Sequence, residues 1–143
     1  MKYHYFIASR WRNRDNVRLL SKKLREKGFS VYCFIDEEQS LNDPNEDPEE
    51  EMKKFETIVD WRNNPAVKAM FDGDMNALRD SETLIMLLPA GKSAHMEAGA
   101  AYGMGKKCII VGEQKETESL YFIFNEWHPT IEELLNHIHM IKS

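Results

Sequence analysis

The chain has 143 residues, 42% hydrophobic and 10% aromatic, which suits one globular domain over residues 1–143 able to bury roughly 70% of the surface its unfolded form exposes. Its formal net charge of −5 argues against general nucleic-acid binding, and no apolar run approaches the roughly 18 residues of a membrane span. The apolar run in the opening MKYHYFIASRWR is too short for a signal peptide. Both cysteines, Cys33 and Cys108, sit in apolar strand-like runs, so they read as small buried residues of a reducing, cytoplasmic setting and exclude a disulfide framework.

In chain order, residues 3–9 are β-branched and aromatic and predict a first strand. Val17, Leu20 and Leu24 then recur at helical spacing, and Gly28 ends that helix. Residues 30–35 predict a second strand, followed over 36–51 by an acidic loop carrying Pro44 and Pro48. Met52, Phe55, Ile58 and Val59 predict a helix over PEEEMKKFETIVDW, with acids in its first turn. A further helix is expected over residues 65–79, with Val67, Met70, Phe71, Met75 and Leu78 on its apolar side. TLIMLLP is a continuous apolar strand, a Gly- and Ala-rich helix lies within LPAGKSAHMEAGAAYGMGKK, and KCIIVG is another buried strand. LYFIF predicts a last short strand, and TIEELLNHIHMIK a closing helix with Thr130 and Glu133 as a capping box.

Buried strands alternating with helices call for a sheet covered on both faces. The expected fold is α/β, a single flavodoxin-like or Rossmann-like domain with a five-stranded parallel sheet and helices on both sides. Such sheets bind ligands outside the carboxyl ends of their strands, near the point where the strand order reverses. Ser9, Arg10, Trp11, Asp36, residues 89–97, Gly112 and Glu113 are therefore the first candidates.

Ser93 and Glu97 are four apart on the small-residue helix and project from one face of its first turns, where free N–H groups and the dipole favour an anion. Small residues there suit close approach to a ligand, and equally tight packing on a sheet with Glu97 as a solvated stabiliser. Asp74 shares a helical side with Leu78, so it is either partly buried and in need of a partner or a surface acid. Arg10, Arg12 and Arg14 form the one basic cluster, fit for a phosphate or for a solvated face, and Trp11 beside them can stack on a ring or act as a packing lid. No metal site is expected: His137 and His139 do not share a helix face, and His4, His95 and His128 are isolated in sequence.

FIASRW, DMNALRDSETLIMLLP and GKSAHMEAGAAYGMGKKCIIV together resemble the nucleoside 2-deoxyribosyltransferase family, with its 2'-deoxynucleoside 5'-phosphate N-hydrolase relatives, from the first strand to about Val111. The resemblance implies a flavodoxin-like fold, a small-molecule nucleoside or nucleotide substrate, no cofactor, and a homo-oligomer in which a neighbour completes the pocket. It implies Glu97 as nucleophile at the anomeric carbon and Asp74 as the group that binds sugar hydroxyls or assists proton transfer. Ser9, Arg10, Trp11, Arg12, Gly91 and Ser93 go with them as substrate-binding candidates. Related transferases often carry an Asp at the position of Gly91, and the arginine-rich first loop tilts the expectation towards a phosphorylated substrate and hydrolysis. Two alternatives stand beside this: a non-catalytic nucleotide-sensing module, and an NAD glycohydrolase-like activity, which would need a second phosphate site.

Overall fold

In the computed structural model, residues 1–36 and 56–142 are described. The strands β1 (Tyr3–Ala8), β2 (Val31–Cys33), β3 (Ser81–Leu87), β4 (Lys107–Val111) and β5 (Glu126–His128) all pair in parallel, in the order β2-β1-β3-β4-β5. The helices α1 (Arg14–Glu26), α2 (Pro65–Arg79), α3 (Lys92–Gly103) and α4 (Ile131–Lys142) cover the two faces. Among the described residues no helix is long and apolar enough to cross a membrane.

Side chains alternate between the faces of a strand, so a sheet covered on both sides needs apolar residues at every position. Phe6, Tyr32, Leu84, Met86, Cys108 and Ile110 pack with Ala77 and Leu78 of α2 and with Ala94, Ala98 and Ala101 of α3. Their neighbours Ile7, Val31, Cys33, Ile85, Leu87, Ile109 and Val111 pack on the other side with Val17, Leu20 and Leu24 of α1 and with Leu134 and Ile138 of α4.

Local chemistry sets the ends. The Asn64 side chain accepts from the N–H groups of Ala66 and Val67, and Pro65 opens α2 with a ring that suits the first helical position. Gly28 follows α1 at φ +94°. Thr130 Oγ1 accepts from the Glu133 N–H at 3.1 Å, one half of the expected capping box.

The last strand is not where its apolar run suggests. Residues 119–123 form a 3-10 turn whose three-residue period turns Tyr121 and Phe124 onto the core and leaves Phe122 93% exposed. Glu118 caps it by accepting from the Leu120 N–H. The fifth strand is instead the polar Glu126–His128, entered through Asn125, whose backbone N–H donates to Cys108 O and whose side-chain oxygen accepts from Cys108 N–H.

The acidic loop and most of the helix expected before Trp61 lie outside the described residues. At its described end Glu56 is still helical, but the helix stops there, short of the expected Trp61: Thr57 is in a turn, Asp60 adopts φ +59°, Trp61–Asn63 is a 3-10 turn, and Val59 is 89% exposed. On α2 the expected apolar side is only partly used. Leu78 is buried, whereas Phe71 is largely exposed with the Lys68 ammonium 5.1 Å from its ring centre.

Gly112, at the end of β4, has φ +122°, and a Cβ there would meet Leu88 Cβ at 2.7 Å. Gly112→Ala combines an unfavourable backbone with a clash in the chain leaving β3. It is expected to destabilise the protein by about 2 kcal/mol or more, read as a fall in Tm, and an unchanged Tm would contradict this contact.

Candidate active site

The chain leaves β1 towards β2 on one side and leaves β3 towards β4 on the other, so the strand order reverses between β1 and β3. In open α/β sheets the loops after two such strands diverge and leave room for a ligand between them. Ser9 ties them together from below: its buried hydroxyl donates to Leu87 O at 2.8 Å and accepts from Asn13 Nδ2 at 3.0 Å. That hydroxyl is engaged within the protein. Arg10, exposed after the end of β1, comes close to the start of α3, with its Cβ 3.7 Å from where a Cβ on Gly91 would stand.

Helix α3 lies close on the sheet because Ala94, Ala98 and Ala101 are the side chains it turns inward, all essentially without solvent contact. Glu97, on the adjoining side of the helix, is thereby drawn partly out of water. Its carboxyl is pushed up to about 8 from an ordinary 4.5, first by burial and second by the negative charge of Asp74 on α2. At neutral pH the free protein thus holds Glu97 mainly protonated. It nevertheless remains half-buried and is not sealed from solvent.

Asp74 is half-buried too, and its Oδ1 accepts from the Tyr32 hydroxyl at 2.9 Å. Tyr32 is fixed by the ring of Phe6, stacked at 5.1 Å, and by an edge contact with Tyr3 at 5.5 Å. The two carboxyl groups named from sequence therefore meet across neighbouring helices, over the face of the sheet that α2 and α3 cover. Tyr32, the donor that aims one of them, was legible only as a buried strand residue.

Gly91 is the N-cap of α3 and Ser93 lies exposed in its first turn. A brace that the sequence did not disclose holds this turn. The ring of His95 contacts Gly91 O through Nδ1 at 2.7 Å and the Tyr121 hydroxyl through Nε2 at 3.0 Å; in the neutral Nδ1–H form the ring donates to the first and accepts from the second.

The first loop is more committed to the protein than a free basic cluster would be. Arg12 pairs with Glu56 at 3.5 Å, and the Arg14 guanidinium lies 5.1 Å from the centre of the Trp11 ring. Trp11 in turn packs on Phe34 at 5.8 Å. Asp36 is bound up with Arg25 and accepts from Cys33 Sγ at 3.1 Å, and Gly112 O accepts from the Trp127 indole at 2.7 Å. Glu113 is exposed. His128, expected to stand alone, lies beside Glu126 and His137 because β5 and α4 bring distant residues together on the opposite face of the sheet.

No protein-family model matches the chain, and no curated protein matches its sequence significantly. Two solved structures share its architecture. The 2-deoxyribosyltransferase of Bacillus psychrosaccharolyticus aligns over 93% of this chain and 90% of its own, with a TM-score of 0.62 at 15% identity. The CMP N-glycosidase of Clostridium botulinum aligns over 95% of this chain and 98% of its own, with a TM-score of 0.52 at 19% identity. At these identities the likeness is one of overall fold.

The raised Glu97 carboxyl has a consequence for stability. Between about pH 4.5 and about 8 the folded chain keeps a proton that the unfolded chain releases, so this group makes stability fall as pH rises through that window and level off above it. Glu97→Gln should remove that fall and stabilise the protein at pH 8 by on the order of a few kcal/mol. Thermal unfolding across pH checks this, and parallel curves for the two proteins would contradict it.

Proposed function

We propose that this protein breaks the N-glycosidic bond of a nucleoside or nucleoside 5'-monophosphate, with Glu97 as nucleophile and Asp74 as the group that receives the sugar hydroxyls. The observation that carries this reading is the Glu97 carboxyl itself: desolvated, set beside a second carboxyl, and still partly accessible on the helix that follows β3. A carboxylate so placed gains most when positive charge develops in front of it, as at the anomeric carbon during loss of the base.

In the first step an oxygen of ionised Glu97 bonds to the anomeric carbon as the bond to the base nitrogen breaks, and the base leaves with the electron pair and takes up a proton from solvent. Water then releases the sugar in a hydrolase, or a second base accepts it in a transferase. Asp74, aimed by Tyr32, supplies an acceptor for a sugar hydroxyl, and its charge, which opposes ionisation of Glu97 in the free protein, favours the positive charge that develops at the anomeric carbon. Arg10, the first turn of α3 with Gly91 and Ser93, and the Trp11–Arg12 segment form the side that would take a 5'-phosphate. Ser9 acts through the loop it holds, as a positioning residue. The fold shared with a transferase and a nucleotide N-glycosidase supports the reaction class.

The test is chromatographic release of free base from ribo- and deoxyribonucleosides, their 5'-monophosphates and NAD, with and without an added second base. Glu97→Ala should lower turnover by about 100-fold or more. Because the nucleophile must be ionised in the free enzyme, kcat/KM should rise with pH up to about 8 and then flatten. Base release that survives in Glu97→Ala, or kcat/KM that falls over the same range, would overturn the assignment. Binding without release from any substrate would favour a sensing module.

A further inference from the structure

The opposite face of the sheet carries a cluster that this chemistry does not use. Glu126 and His128 are two apart in β5 and so project from the same side of the strand, towards α4, which contributes His137. Glu126 Oε1 lies 2.9 Å from His128 Nε2 and 3.4 Å from His137 Nε2, and the two imidazole rings are 4.9 Å apart. The three prospective ligand atoms all lie within 4.8 Å of one another.

The two separations from the Glu126 oxygen, 2.9 and 3.4 Å, are close to what a four-coordinate ion requires. With bonds of about 2.0–2.1 Å in a tetrahedral arrangement, ligand atoms stand about 3.3 Å apart. Both nitrogens converge on one oxygen of Glu126, while Lys107 holds the other oxygen of the same carboxylate in an ion pair. The lysine thereby fixes which oxygen faces the histidines, as outer partners do around bound metals. The side chains of Glu126 and His128 are mostly buried and that of His137 is 40% exposed, which leaves a path for an ion and a fourth position for water.

We propose that Glu126, His128 and His137 bind one divalent transition-metal ion of the zinc class, fastening the edge strand β5 to α4. Two imidazoles and a single carboxylate oxygen favour zinc, cobalt or nickel over calcium or magnesium, which prefer oxygen ligands throughout. The site is formed by the α1/α4 side of the sheet, so it stands whether or not Glu97 performs the chemistry proposed for it.

The experiment uses the full chain without an affinity tag, stripped with a chelator and dialysed, then titrated with zinc by calorimetry and with cobalt by visible absorption. One equivalent of zinc should bind, cobalt should give the absorption of a four-coordinate ion, and zinc should raise Tm. His137→Ala, at an accessible position, and His128→Gln should each weaken zinc binding by about tenfold or more and abolish the zinc-dependent rise in Tm, whereas His4→Ala should do neither. Failure of the wild type to bind stoichiometric zinc at about 100 µM would overturn the proposal, as would wild-type affinity retained in both histidine variants. Should a variant fail to fold, the wild-type cobalt spectrum decides: six-coordinate cobalt overturns the site and four-coordinate cobalt supports it.

Discussion

The close seat of α3 on the sheet is the constraint on which the rest of the structure depends. Ala94, Ala98 and Ala101 allow the helix axis to approach Phe6, Leu84, Met86 and Cys108 without a layer of larger side chains between. Glu97 rides on the same helix, so the approach that completes the core also carries a carboxyl out of water. The cost of that desolvation comes from the helix packing itself, and the charge of Asp74 on α2 adds to it. Helix propensity is given up at Gly99 and Gly103, where no added Cβ would meet a neighbour outside the helix. The alanines, not these glycines, therefore account for the packing.

The loops over the site inherit their positions from this arrangement. Ser9 joins the end of β1 to Leu87 at the end of β3, and Gly112 admits Leu88 against β4. His95 and Tyr121 hold the first turn of α3. The two faces of the sheet thus do different work. One is shaped by small side chains and ends in two converging carboxyl groups; the other is filled by larger aliphatic residues of α1 and α4 and ends at the edge in Glu126, His128 and His137. Both edge strands have only three residues, which limits the unpaired backbone they present.

Much of this was legible because it is local. Four strands and four helices follow from apolar runs and helical periodicity, and their alternation gave the parallel sheet. Glu97 and Asp74 stood out as carboxylates in small-sided or apolar settings, and the structure brings them together. What escaped the sequence is tertiary. Glu126–His128 has no apolar run because its covered side holds Glu126 and His128, which pair with each other and with Lys107 and His137, whereas the LYFIF segment is apolar for core contacts made from a 3-10 turn. Tyr32 looks like any strand aromatic until Asp74 arrives from 42 residues away. His128 and His137 are nine positions apart, and only the turn from β5 into α4 makes them neighbours. The basic first loop read as a free cluster, yet Arg12 and Arg14 have contacts within the protein, and Arg10 is the residue that faces the start of α3.

Carbon-13 NMR titration of the glutamate side-chain carboxyls, in wild type and in Asp74→Asn, tests most directly whether this fold holds a reactive carboxyl beside a second one. One resonance should titrate near pH 8, disappear from the spectrum of Glu97→Gln, and move to lower pH when the charge of Asp74 is removed. Glutamates that all titrate in the ordinary acidic range would contradict the account, because Glu97 would then be a solvated residue on a tightly packed helix.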